Sequence, residues 1–269
     1  MQAIVHRGGS RLKTVVIKCG GSILSELSDS FFTSIKHLKD SGCGVVLVHG
    51  GGPEITDCLE KMKIQTAFIN GQRQTTKEVL EVVQMTLAGK LNKKLSGMCQ
   101  KHGLAAVGLS GEDGGLLQAE CIDEERLGLV GKVSFVDIRL LELLLEKGYL
   151  PVLAPLGRTE NGEVLNINAD TAAAAVAQAL QAERLVFVTD VDGIMEDGQL
   201  VSETDPEQIR SCIGQGIISG GMIPKTESAI QSLSDTLKEV MIVNGTKPFI
   251  SGREFVGTKI MNSRKEAAG

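Results

Sequence analysis

The sequence predicts an α/β fold: a three-layer α/β/α sandwich around a mostly parallel central sheet. Three observations carry this expectation. Short β-branched runs alternate with stretches of helical period, several of those runs end in glycine, and the alternation proceeds without repeats, low-complexity tracts or a long linker. With 269 residues and 42% hydrophobic content, the chain can bury a large core. Two lobes sharing one continuous sheet are expected, divided as residues 1–180 and 181–269.

Each element can be justified in turn. "TVVIKCGGSIL" opens with a buried strand, Val15 to Ile17, that gives way to Lys18 and the pair Gly20-Gly21. The amphipathic "FFTSIKHLKDSG" reads as a helix closed by glycine, and "CGVVLVHGGG" as a second strand. "PEITDCLEKMK" starts a helix on proline, whose missing N–H costs nothing there. A long helical pattern follows from about Thr76 to Lys101, and then a third strand, "AAVGLSGEDGG". Leu116 to Val136 suggests a small hairpin excursion. "IRLLELLLEKG" is a helix, "YLPVLAPLG" a strand, and the Asn-Gly of "RTENGEVLNINAD" marks another hairpin. Ala-rich "TAAAAVAQALQA" is helical, "RLVFVTDVDGIM" a buried strand, "PEQIRSCIGQG" and "PKTESAIQSLSD" helices, and "EVMIVNG" the last central strand.

Composition excludes several classes. Aromatics are 3% with no Trp, which argues against base-stacking platforms, and a net charge of −5 argues against nucleic acid as partner. No apolar run reaches the roughly 18 residues of a membrane span, and "MQAIVHRGGSRLK" has no signal-peptide core. Six cysteines stand singly, without a C-x-x-C pair, as in reduced proteins. The expectation is a soluble, cytoplasmic protein with no membrane partner.

Ligands of open α/β sheets bind beyond the carboxyl ends of the strands. Four predicted ends carry glycines: Lys18 to Ser22, His49 to Gly52, Gly108 to Gly111, and Thr189 to Gly193. All four are expected on one rim, where backbone N–H groups and Lys18 would hold phosphate. A Walker motif is absent, because Gly89-Lys90 and Gly131-Lys132 each precede an apolar residue. No complete G-x-G-x-x-G follows the first strand. His49 to Gly52 has the form of a hydrolase oxyanion loop, but Gly108-Leu109-Ser110-Gly111-Glu112 lacks the second glycine of a nucleophile elbow.

The motifs "VVIKCGGS", "VLVHGGGPEI", "NGQRQT", "LNINAD", "FVTDVDGIM" and "ISGGMIPK" occur in an order that resembles the amino-acid kinase family, from about Thr14 to Ile260. The resemblance implies that family's fold, with acceptor binding and dimerisation in residues 1–180 and ATP binding in 181–269. It implies transfer of the γ-phosphoryl group of ATP, with Mg²⁺, to the side-chain carboxylate of N-acetyl-L-glutamate on the arginine biosynthetic route. Such a carboxylate is already ionised at pH 7 and needs no general base, only cancellation of anionic repulsion.

By the same resemblance Lys18 and Lys225 stabilise the phosphoryl group, and Asp170 holds both lysines. Read from the residues alone, Asp170 is the N-cap of the Ala-rich helix. Gly20, Gly21 and Gly50 would donate N–H groups to phosphoryl oxygens, with Gly51 and Gly52 also bordering the acceptor. Arg73, on its own a solvated loop arginine, would pair with the acceptor's α-carboxylate. Asn166 would meet its amide, with Asn168 a structural neighbour. Thr189, Asp190, Gly193 and Ser219 would serve the nucleotide; metal ligands are left open.

Arginine-inhibited members resemble one another in an extra N-terminal helix and a C-terminal signature, and "NGTKPFISGREFVGTKI" looks unlike that signature. An arginine-insensitive homodimer is expected. Rival readings differ by acceptor, a one-methylene-longer acetylaminoadipate being the nearest, or replace catalysis with sensing of an amino acid or nucleotide.

Overall fold

The structure is a computed structural model, which describes residues 12–252 and 254–262. Strand β1 (Thr14–Cys19) leads to helix α1 (Asp29–Asp40), which is capped by the Ser28 hydroxyl accepting from the Phe31 N–H. Then come β2 (Gly44–His49), α2 (Gly52–Met62) and a two-residue-strand hairpin, β3 (Phe68–Ile69) and β4 (Gln72–Arg73). Asn70 and Gly71, both at positive φ (51° and 76°), make the hairpin turn, which is why Asn-Gly stands there.

The expected long helix from Thr76 is continuous but not uniform. It comprises α3 (Lys77–Gln84), a π-helical stretch Met85–Leu91, and α4 (Asn92–Lys101). Strand β5 (Ala106–Ser110) follows. The predicted hairpin excursion is β6 (Leu117–Cys121) and β7 (Val130–Val136), with the short helix α5 (Glu124–Leu127) between them. Next in order are α6 (Arg139–Glu146), β8 (Leu150–Ala154), β9 (Leu156–Arg158), β10 (Val164–Ile167) and α7 (Ala169–Ala179). The remainder holds β11 (Arg184–Thr189), the hairpin β12 (Met195–Glu196) and β13 (Gln199–Leu200), β14 (Glu203–Thr204), α8 (Pro206–Gly214) and α9 (Met222–Ser232). It closes with β15 (Glu239–Asn244), the pair β16 (Ile250–Ser251) and β17 (Glu254–Phe255), and β18 (Thr258–Met261).

Among the described residues eight strands form the main sheet in the order β14-β18-β15-β11-β1-β2-β8-β5, while β10, β7, β6 and β9 close into a small barrel beside it. All main-sheet pairings are parallel except β15 with β18. Strand alternation sends Val15, Ile17 and Cys19 to one face, against Phe31, Phe32 and Ile35 of α1 and Val79 and Val83 of α3. Val16, Val46 and Val48 go to the other, against Leu141 of α6, Ala173 and Val176 of α7 and Ala229 of α9. Helices therefore cover both faces, as the uninterrupted apolar strands require. The thiols of Cys19 and Cys99 sit in the first of these cores, where burial pushes each up to about 12. Among the described residues no helix is long and apolar enough to cross a membrane.

Strands β1 and β11 are neighbours in the centre, and the chain winds outward from them in opposite directions. Their carboxyl ends make a topological switch point, the place where a crevice opens in such sheets.

Candidate active site

A cavity of about 390 Å³ occupies that crevice, bounded by the ends of β1, β2 and β11, the β3–β4 hairpin and the first turns of α7 and α9. Lys18, the penultimate residue of β1, reaches into it. Its Nζ lies 2.7 Å from Oδ1 of Asp170, with the two side chains only 15% and 28% exposed. Asp170 is the second residue of α7 and so sits in the positive end of the helix dipole. It is not the N-cap: that role falls to Asn168, whose Oδ1 accepts from the N–H groups of Asp170 (2.8 Å) and Thr171 (3.2 Å).

The expectation that Asp170 holds both lysines is corrected. Lys225, in the first turn of α9, pairs instead with Asp190, Nζ to Oδ1 at 3.0 Å. That hydrogen bond from Lys225, aided by a backbone N–H, holds the Asp190 carboxyl below its usual range. Asp190 follows directly on β11, so each lysine takes a carboxylate from a different element while both pairs line one cavity. The adjacent Asp192 is engaged elsewhere, with both oxygens 2.8 Å from Lys247 Nζ and Oδ1 accepting from Asn244. Thr189 uses its hydroxyl to pin this turn, bonding both the N–H and the carbonyl of Val191.

The two glycine loops interleave. A Cβ on Gly21 would lie 2.8 Å from the Gly51 nitrogen and 2.9 Å from that of Gly52. A Cβ on Gly51 would strike Leu91 Cδ1 at 2.4 Å and Leu87 Cδ2 at 2.6 Å, both from the π-helical stretch. Gly51 and Gly52 open α2, so their N–H groups have no carbonyl one turn earlier to bond. Amides in such a cradle are suited to phosphate oxygens.

On the other wall Arg73 is 6% exposed, not a solvated loop residue. Its Nη2 donates to the Gly52 carbonyl (3.0 Å) and Thr56 Oγ1 (2.6 Å), and its guanidinium lies 4.6 Å from the Phe68 ring centroid. Among the described residues Nη1 is buried without a partner, a donor held ready for an acceptor from the cavity. Burial pulls the Arg73 pKa down, yet a guanidinium remains charged. Asn166 donates through Nδ2 to Thr75 Oγ1 at 3.1 Å.

The structure brings together Lys18, Gly20, Gly21, Gly50, Gly51, Gly52, Arg73, Asn166, Asp170, Thr189, Asp190 and Lys225 around this cavity. It does not bring three other expected features there. Gly193 is off the wall, at φ 145°, where a Cβ would overlap Thr258 Oγ1 at 2.5 Å, and Ser219 is exposed outside it. The glycines of β5 are absent as well, because β8 separates β5 from β2. Gly108 makes room for Asn92 Oδ1 (2.1 Å from a built Cβ) and Gly111 for the Leu156 carbonyl (2.0 Å), so both serve packing. Sequence reasoning missed Phe68 and Leu87, which also line the cavity. The Arg73–Phe68 pairing had a signal in the Asn-Gly turn that folds one strand onto the other; Leu87 had none.

Paired cations beside free peptide amides suit an anion that changes hands, the central demand of phosphoryl transfer. The chain belongs to the amino acid kinase family, whose model matches residues 13–244. Within that family its relatives include the acetylglutamate kinases of Bacillus licheniformis, 53% identical over 94% of this chain and 98% of that one, and Geobacillus kaustophilus, 56% identical over 94% and 97%. A solved Streptococcus mutans structure superposes with a TM-score of 0.79 at 33% identity, over 92% of this chain and 98% of that one. An N-acetylglutamate synthase from Neisseria gonorrhoeae, complexed with coenzyme A and N-acetyl-glutamate, gives 0.78 at 25% identity, over 93% of this chain and 59% of that one.

Proposed function

We propose that this protein transfers the γ-phosphoryl group of ATP to the side-chain carboxylate of N-acetyl-L-glutamate, giving an acyl phosphate for arginine biosynthesis in the cytoplasm. Identity of 53% over nearly the full length with an acetylglutamate kinase supports the acceptor. The observation that carries the chemistry is the Lys18–Asp170 pair, at 2.7 Å, on the same cavity as Lys225 and the interleaved glycine amides.

In this reading Arg73 turns its unpartnered Nη1 to the acceptor's α-carboxylate, and Asn166 meets the acetamido group. The acceptor's other carboxylate, ionised without help from a base, then faces the γ-phosphorus. Lys18 stabilises the charge that spreads over the phosphoryl oxygens, and Asp170 keeps its ammonium group in place. Lys225 neutralises charge from the nucleotide side. The cavity's carboxylates are Asp170 and Asp190, so these are the residues here that could hold Mg²⁺, which supplies charge neutralisation on the phosphates when bound. Residues 1–180 form the acceptor lobe and residues 181–269 the ATP lobe. This division is supported by the sheet order, in which each set of residues contributes one contiguous half.

The assembly proposed is a homodimer that free arginine does not inhibit. The N-terminal part of that expectation, residues 1–11, lies outside the described residues. Sizing near twice 28.6 kDa and unchanged turnover in millimolar arginine are the expected results. The decisive test is ATP-dependent hydroxamate formation with N-acetylglutamate, glutamate and N-acetylaminoadipate supplied separately. Preference for the longer acceptor would reassign the substrate, and no turnover with any of them would overturn the reading.

A further inference from the structure

Behind the glycine cradle lies a buried polar network that no step above uses. His49, the last residue of β2, is fully buried. Its ring makes two hydrogen bonds, Nδ1 with the carbonyl of Gly50 at 3.0 Å and Nε2 with Nδ2 of Asn92 at 3.2 Å. A carbonyl can only accept, so Nδ1 carries the proton and Nε2 accepts from Asn92. Asn92 opens α4 directly after the π-helical stretch, and its two Nδ2 hydrogens are shared among His49 Nε2 and the carbonyls of Leu109 on β5 (3.0 Å) and Val152 on β8 (2.8 Å). Turning the amide over would set Oδ1 against those two carbonyl oxygens, so its orientation is fixed, and with it the imidazole tautomer.

In a trans peptide the carbonyl of one residue and the N–H of the next point in opposite directions. Fixing the Gly50 carbonyl on the His49 side therefore aims the Gly51 N–H the other way. That side faces Gly21, whose built Cβ would meet the Gly51 nitrogen at 2.8 Å, and both glycines line the cavity. The flanking groups are held by backbone bonds, the Gly50 N–H by the Cys19 carbonyl (3.0 Å) and the Gly51 carbonyl by the Ile55 N–H (2.9 Å). The imidazole fixes the Gly50 carbonyl between them, where glycine has no side chain to restrict the peptide.

We propose that His49, held by Asn92, is a positioning residue for phosphoryl transfer: it locks the Gly50–Gly51 peptide so that the Gly51 N–H stabilises the migrating phosphoryl group. The inference rests on the kinase reading above and adds to it the residues that organise the amide. A preorganised donor acts on the charge developing in the transition state, so its loss falls on turnover and not on ground-state binding.

The test compares His49→Leu, which keeps bulk but donates nothing, with His49→Asn, whose Nδ2 occupies the place of the ring Nδ1. Turnover and both KM values are measured alongside calorimetric binding of MgADP and N-acetylglutamate, with and without aluminium fluoride as a planar phosphoryl mimic. His49→Leu is expected to lose at least tenfold in kcat with both KM values within threefold of the parent. It should also lose at least tenfold of the affinity gained on adding fluoride. His49→Asn is expected to return within threefold of the parent in both. Should His49→Leu not fold, Asn92→Ala, which frees the ring, is expected to lose affinity for the fluoride complex while keeping that for MgADP. A folded His49→Leu with parental kcat, equal losses in the Leu and Asn variants, or an Asn92→Ala chain with unchanged fluoride affinity each overturn the proposal. An active parent with an unaffected His49→Leu sinks this inference alone; a parent inactive toward every acceptor sinks the kinase reading first.

Discussion

Lys18 and Asp170 lie 152 positions apart in the chain yet meet at 2.7 Å, one at the end of a central strand and the other in the first turn of a helix. Both are more than two-thirds buried, so their contact is stronger than a surface pair and less screened by salt. Lys18→Ala removes the cation and leaves the carboxylate facing the phosphates. Turnover should fall about 100-fold or more, with smaller changes in KM. Steady-state hydroxamate kinetics check this; kcat within threefold of the parent would refute the assignment.

Arg73→Lys keeps the charge but loses the planar fork that bonds Gly52 and Thr56 and stacks on Phe68. The expected effect is a rise of about tenfold in KM for the acceptor, with KM for ATP unchanged, since a charge-assisted hydrogen bond from Nη1, worth about 1.5 kcal/mol, is lost. Initial rates with each substrate varied in turn will show it. An effect confined to ATP would remove Arg73 from the acceptor wall.

Two glycines separate packing from site chemistry. Gly111→Ala would set a methyl group 2.0 Å from the Leu156 carbonyl and 2.5 Å from Leu117 Cδ1, both outside the cavity. A loss of about 2 kcal/mol or more is expected in urea unfolding. Gly52→Ala meets nothing within 4 Å among the described residues and should change stability by less than about 1 kcal/mol. Equal midpoints for the two variants would contradict this picture.

Burial pushes His49 down to about 4 from an unperturbed 6.5. Between those values the unfolded chain binds a proton that the native protein refuses. The stability associated with neutral His49 is therefore complete above about pH 6.5 and is lost as pH falls toward 4, by on the order of 3 kcal/mol. His49→Asn does not titrate. Urea midpoints at pH 7 and pH 4.5 should fall further in the parent than in the variant, and equal falls would show that the ring is not kept neutral.

Much of this architecture was readable from local pattern. Val15 to Ile17, the Asn-Gly turn between β9 and β10 and the alanine helix each declare their state through propensity alone, and the glycine ends of β1 and β2 reached the cavity as expected. Where expectation failed, the missing information was spatial order. Nothing in "AAVGLSGEDGG" says that β8 slides between it and β2, which carries Gly108 and Gly111 away from the rim. Asp170 and Asp190 are both acids near a motif lysine, and only the crossing of α7 behind β1 assigns one carboxylate to each cation. Asn168 took the cap from Asp170 because its side chain stands two residues earlier, outside the helical turn. The π-helical stretch left no trace in sequence, since its period differs from an ordinary helix over a single turn.

Strands β1 and β11 are zipped in parallel from Val15 opposite Arg184 to Cys19 opposite Val188. The seam between the two halves of the molecule is thus a ladder of peptide hydrogen bonds rather than a hinge, and a clamshell opening would have to tear it. Whatever brings donor and acceptor together must twist this shared floor or swing the small surface hairpin carrying Phe68.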